Sequence, residues 1–221
     1  MERFVWKNLP KTYTEEDILA ALHLPEDLEP EDLEEVRELI RAAEAVAAPK
    51  AVFCLAAVEA QDDAGVVIEG QRFDCALMAK NFRRLHRVFP YVCTCGTEVE
   101  QWSRSLSDPL QEYWADRIKL FYIGWIQKEC FRRIREQYLP EGKLSHMNPG
   151  SLPAWPLPAQ AELFALIGGV EESVGVTLTE SFLMEPFKST SGILFASEAG
   201  YENCALCPME HCPGRRAAYR P

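Results

Sequence analysis

From Leu110 to Tyr138 the sequence carries no proline, and Tyr113, Ile118, Phe121, Tyr122, Trp125 and Ile126 bring bulky apolar groups to it at helical intervals. The stretch reads as one buried helix of about eight turns, closed by Pro140 and Gly142. Core packing accounts for its aromatic content without a cofactor. A helix this long and apolar needs a broad surface to lie on, and the flanking sequence offers strands. AVFCLAAVEA from Ala51 and GVVIEG from Gly65 are short β-rich runs separated by Gln61–Ala64, the pattern of a hairpin. VFPYVCTCGTEVEQW from Val88 reads as a buried strand that runs into Gly96 and then a helix.

Scaffold helices are expected on either side. Thr14 followed by Glu15, Glu16 and Asp17 is a helix start, with a capping hydroxyl and carboxylates near the positive end of the dipole. Pro25 ends that helix. Leu33, Val36, Ile40, Ala43 and Val46 then recur at helical spacing until Pro49. Asp74–Arg87 is expected to be a helix with a basic end at Lys80, Arg83, Arg84 and Arg87, and Ala159–Ile167 a short one capped by Gly168 and Gly169. The class is therefore α+β, a twisted antiparallel sheet with flanking helices. An acidic helical segment over residues 1–48 should pack on a core over 49–221, as one domain overall.

Charge narrows the partners. The formal net charge is −11, and residues 1–50 hold 13 carboxylates against six basic side chains. This balance argues against binding to nucleic acid, which rests on Lys and Arg meeting phosphates. No apolar run is long enough to span a bilayer and the first residues carry no apolar signal core, so a cytoplasmic protein without membrane contact is expected.

Two features near the end bear on function. Val176, Leu178, Glu180, Phe182 and Met184 alternate with Thr177, Thr179, Ser181 and Leu183, so a strand here would put Glu180 on its apolar face. A carboxylate there must be hydrogen-bonded or paired, as a structural anchor or as a ligand contact. The segment around Pro186 interrupts the alternation, which Ser191, Ile193 and Phe195 resume, so a loop joins two antiparallel strands. Beyond them, Cys204, Cys207 and Cys212 form C-x2-C-x4-C with Pro208, Pro213 and Gly214 bending the chain. Three close thiols on turns suit Zn or an Fe–S cluster, against the alternative of free surface thiols. Cys93, Cys95 or His211 remain as fourth ligand, or the cluster keeps an open coordination position; His211 adjoins Cys212 too closely, and a strand cysteine, Cys95, is preferred.

These same segments carry a family resemblance. LTESFLMEPFKSTSG closely resembles a signature of the activation domain of cobalamin-dependent methionine synthase, with Thr179, Glu180, Ser181, Met184, Pro186, Ser189, Ser191 and Gly192 at the same offsets. Upstream, NPGSLPAWPLPAQAELFALIG resembles the Pro-Gly-centred loop and following helix of stand-alone relatives of that domain. The likeness covers the last third of the chain well and the rest only in general pattern.

The resemblance implies an accessory module for reductive reactivation of a corrinoid-dependent methyltransferase such as methionine synthase. A corrinoid (cobalamin) carried by a partner protein is served, an electron donor protein is a further partner, and S-adenosylmethionine is the methyl donor. The implied site comprises His146, Asn148, Pro149, Gly150 and Ser151 with Glu180, Ser189 and Tyr201. Two positions depart from the family loop: His146 stands where an Arg grips the cofactor's carboxylate, and Ser151 where a Tyr follows the Gly. The alternative is a module that binds the corrinoid protein or delivers electrons through the C-terminal cysteines without S-adenosylmethionine. Whether the chain itself catalyses methyl transfer stays open at this point.

Overall fold

The structure is a computed structural model that describes residues 1–198, 200–209, 211 and 215–220. The chain opens with β1 (Glu2–Trp6), α1 (Glu15–Leu22), α2 (Pro30–Val46), β2 (Lys50–Gln61), β3 (Val66–Ile68), β4 (Gln71–Phe73) and α3 (Ala76–Phe82). There follow β5 (Arg87–Thr94), α4 (Thr97–Arg104), α5 (Pro109–Tyr138), β6 (Leu144–Met147), α6 (Gln160–Ile167) and α7 (Val170–Val174). The last elements are β7 (Thr177–Leu178), β8 (Met184–Glu185) and β9 (Ser189–Ala196).

The main sheet runs β4-β3-β2-β5-β9-β6, with β1 paired to β2 as well, and every pairing in it is antiparallel. Because side chains alternate across a strand, each central strand feeds two cores. Phe53, Phe89, Tyr91, Cys93 and Leu194 pack under α1, α2 and α5, whereas Val52, Cys54, Val88, Val92, Ile193 and Phe195 pack against α3, α6 and α7. The α5 helix is capped by Asp108, whose carboxylate accepts from the amides of Leu110 and Gln111, and it buries Trp114, Ile118, Tyr122, Ile126 and Ile134 along one side. The α1 helix has the expected capping box between Thr14 and Asp17.

Three local readings are corrected. The helix expected over Asp74–Arg87 is confined to Ala76–Phe82, and Arg87 instead opens β5 by pairing with Ala57. Sheet pairing outweighs the helical pattern there. The N-terminal residues contribute a strand, with Phe4 stacked on Phe53 at 4.8 Å, in addition to helices. The strand expected over Val176–Met184 is broken at Thr179, whose amide donates to the Leu183 carbonyl (2.8 Å) and whose Oγ1 accepts from the Leu183 amide (3.1 Å). These hydroxyl and backbone bonds close a tight turn between β7 and β8, with Phe182 at a φ of 62°. Glu180 sits at the tip of that turn and is exposed, so it is not the buried carboxylate that strict alternation requires.

Candidate ligand-binding site

The site forms where β6 ends beside β9. After Met147 the chain leaves the sheet as Asn148-Pro149-Gly150-Ser151, and the Ser151 amide donates to the Asn148 carbonyl (3.2 Å) across a turn with Gly150 at φ 78°. Proline followed by a residue of positive φ is a type II turn, which accounts for glycine there. The turn is pinned from within. Asn148 Nδ2 donates to Tyr91 Oη (2.8 Å) and to the Ser191 carbonyl (2.6 Å). Asn203 Nδ2 donates to Asn148 Oδ1 (3.4 Å), and Tyr201 Oη in turn donates to Asn203 Oδ1 (2.7 Å). One hydrogen-bonded chain therefore connects the residues that follow β9 to the Pro-Gly turn. At the other wall, Gln160 Nε2 donates to the Phe182 carbonyl (2.9 Å) and its Oε1 accepts from Ser191 Oγ (2.9 Å), which fixes the β7–β8 hairpin against β9. Ser189 Oγ donates to the Pro186 carbonyl (2.7 Å).

Between these walls lies a pocket of about 490 Å³, lined by Gln127, His146, Asn148, Pro149, Ser151 and Thr190 together with Ser189, Ser191, Gln160, Met184 and Arg216. The volume is that of a small-molecule site, and polar groups converge on it from five segments of the chain: Gln127, 146–151, Gln160, 189–191 and Arg216. Gln127 and Arg216 also line an adjoining depression of about 720 Å³ that includes Lys128, Phe131, Arg132 and Lys143, so the pocket opens onto a wide trough along α5. A second, more apolar groove of about 720 Å³ lies between α1 and α5, lined by Tyr13, Leu120, Phe121 and Trp125. It is roomier, but its polar groups, Thr12 and Asp17 on one wall and Arg117, Lys128, Glu129 and Arg132 on the other, come from two segments only.

His146 is the titratable group of the pocket. Its ring lies 5.2 Å from that of Phe131, and Arg216 Nη2 is 2.9 Å from its Nε2. A guanidinium only donates, so Nε2 accepts and the ring proton sits on Nδ1. Burial, and then the charge of Arg216, push its pKa down to about 4. The unfolded chain, with an ordinary histidine near 6.5, takes up a proton before the folded one does. The folded state should therefore lose stability as pH falls from about 6.5 toward 4, by on the order of 3 kcal/mol. An NMR titration should show one imidazole still neutral at pH 5.5; if all four histidines titrate near 6.5, this environment is excluded.

Of the residues implied by resemblance, His146, Asn148, Pro149, Ser151 and Ser189 line the pocket, and Gly150 shapes the turn beside it. Tyr201 stands behind the wall, with its ring 5.8 Å from Phe195, and anchors the tail rather than facing the cavity. Glu180 lies on the exposed hairpin tip. Gln127, Gln160, Thr190 and Arg216 were not anticipated; Gln127 lies mid-helix and Arg216 in the tail, and neither carries a local signal.

The cysteines are spread more widely. Cys95 is fully buried in the core on the α5 side of the sheet, its thiol donating to the Gly96 carbonyl (3.6 Å) and pushed up to about 12 by burial and Glu100. Cys204 and Cys207 are half-buried in the tail, which starts at Tyr201 on the opposite core, and Cys212 lies outside the described residues. Among the described residues no three His, Cys, Asp or Glu are grouped to hold a metal ion. Also among them, no helix is long and apolar enough to cross a membrane.

The mixed fold, an antiparallel sheet with flanking helices, is similar to that of a methionine synthase reactivation domain. Its likeness is to a crystal structure of the MetH reactivation domain bound to AdoHcy, at a TM-score of 0.64 and 17% identity, over 91% of this chain and 80% of that one. Residues 103–210 match the family model of the vitamin B12 dependent methionine synthase activation domain, which spans α5, the site loop and β9. No curated protein matches the chain.

Proposed function

We propose that the chain is a module for reactivating a cobalamin-dependent methyltransferase of the methionine synthase type, and that its pocket binds S-adenosylmethionine. One observation carries the reading: the two segments that carry the resemblance, 148–168 and 178–192, meet as walls of the same pocket, through Asn148, Pro149 and Gln160 on one side and Met184, Ser189 and Ser191 on the other. The donor set fits such a ligand. Amides of Gln127 and Gln160, hydroxyls of Ser151 and Thr190 and a guanidinium suit the ribose and amino acid ends, and the trough beyond Gln127 leaves room for a macrocycle face presented by a partner. When bound, S-adenosylmethionine supplies an electrophilic methyl group. The work of this chain is to hold and orient it: the Pro149-Gly150 turn, locked by Asn148, keeps the wall rigid, and His146 stays neutral beside it.

Calorimetry with S-adenosylmethionine and S-adenosylhomocysteine tests the reading. Binding with a Kd below about 1 mM is expected; no heat from either at millimolar concentration removes the methyl donor from this site. Addition of the protein with a reductant and S-adenosylmethionine should restore an oxidatively inactivated corrinoid methyltransferase, and no recovery would sink the reactivation role.

A second reading, electron delivery by a metal centre on Cys204, Cys207 and Cys212 with Cys95, has one observation in its favour. The backbone amide of Arg216 holds the Cys204 thiol below its ordinary pKa, which favours the thiolate a metal needs. Cys95, sealed and held neutral, is the weaker part of that set. Metal analysis and an absorption spectrum of anaerobically purified protein decide it: an Fe–S chromophore supports electron transfer, and colourless, metal-free protein ends the idea.

A further inference from the structure

We infer that Arg216, carried on the C-terminal tail, is the residue that recognises the carboxylate of the ligand. The inference rests on the pocket being an S-adenosylmethionine site, and adds which group selects the amino acid end. Among the described residues that line the pocket, Arg216 is the one Lys or Arg, and none is Asp or Glu. His146, the remaining candidate cation, is neutral because its Nε2 accepts from Arg216. The cavity thus has a single permanent positive charge, and its strand histidine orients that charge instead of supplying one.

The tail is built to deliver it. Arg215 donates to the carbonyls of Cys204 (2.9 Å), Cys207 (2.9 Å), Ala217 (2.9 Å) and Met209, which gathers these four residues around one guanidinium. The Arg220 amide donates to the Ala205 carbonyl (2.7 Å), and the Tyr201–Asn203–Asn148 chain ties the start of the loop to the Pro-Gly turn. With Arg215 turned inward, its neighbour Arg216 is left at the pocket, between His146 and Glu202, whose Oε2 is 3.5 Å away. Both approaches are made from Nη2, the one to Glu202 as an ion pair, and the side chain also donates to the Cys204 thiol; a guanidinium carries five N–H groups, so donors remain for a carboxylate.

The test compares two probes that differ at one group, S-adenosylhomocysteine with its carboxylate and the neutral carboxamide, by calorimetry on the full chain. Wild-type protein should prefer the acid by at least about tenfold, and Arg216→Gln should reduce that preference to within about twofold. Arg216 is 47% exposed, so the variant should keep its fold. In a second variant, His146→Arg combined with Arg216→Gln, the guanidinium is returned from the strand and the preference for the acid should reappear. A preference that survives Arg216→Gln, its absence from the wild type, or no recovery in the double variant overturns the assignment. If wild-type protein binds neither probe, the proposed site itself fails, and this inference with it.

Discussion

Replacing Gly192 by alanine is expected to abolish binding of S-adenosylhomocysteine and to lower stability by about 3 kcal/mol, near the upper end of ordinary overpacking costs. Gly192 lies in the middle of β9, paired to Tyr91 of β5 on one side and flanked by the end of β6 on the other. A Cβ there would fall 2.3 Å from the Met147 carbonyl oxygen, 2.8 Å from Asn148 Nδ2 and 3.1 Å from Tyr91 Cε1. The first contact is with backbone, which cannot swing aside as a side chain would. Either β6 separates from β9 or the Asn148 amide gives up its bonds to Tyr91 and Ser191, and both routes displace the wall of the pocket. Thermal unfolding should fall by about 10 °C for a chain of this size, and calorimetry should lose the ligand signal. A variant that melts within about 2 °C of wild type and still binds would show that this close approach is not needed.

The second large effect is expected far from the pocket. Lys119 of α5 and Glu100 of α4 meet at 2.9 Å with only 11% and 12% of their side chains exposed. Arg104 also reaches Glu100 at 3.0 Å, but it is largely solvated. Burial opposes the charge on Glu100, yet Lys119 and Arg104 hold its carboxyl below the usual range. Lys119→Met should therefore cost about 3 kcal/mol, chiefly because a carboxylate is left buried with a partner that water screens. Combining it with Glu100→Leu should return most of that loss, since a well-packed apolar pair often does as well as a buried ion pair. Urea denaturation of the single and double variants reads both numbers. A single variant as stable as wild type, or a double variant no better than the single, would contradict the account.

Much of the scaffold was legible in the residues because the relevant signals are local. Thr14 and Asp17 mark a helix start within four residues, Pro140 and Gly142 end α5, and Val36, Ile40 and Ala43 mark the buried side of α2, whereas on α5 Ile118, Tyr122 and Ile126 are buried and Tyr113 is exposed. The two thin strands were harder to see. β1 and β6 are short, and what makes them strands is the partner each finds, Ala51–Leu55 and Ile193–Ala196 respectively. Glu180 illustrates how a period can mislead. Alternation alone placed it inside, but the Thr179 hydroxyl and Leu183 amide lie only four residues apart and close a turn that strand pairing would have to break.

By itself, then, the sequence determined the class of fold, the long helix, the Pro-Gly loop and the family likeness of the segment ending in Ser191 and Gly192, since each depends on neighbours a few positions apart. Which groups line the pocket was decided by tertiary structure. His146, Gln127 and Arg216 are separated by up to 89 positions and are brought together by β6 pairing with β9, α5 lying across the sheet and the tail folding back. No local rule reports such a meeting, because burial, a shared proton and a single net charge are properties of the assembled cavity rather than of any stretch that builds it.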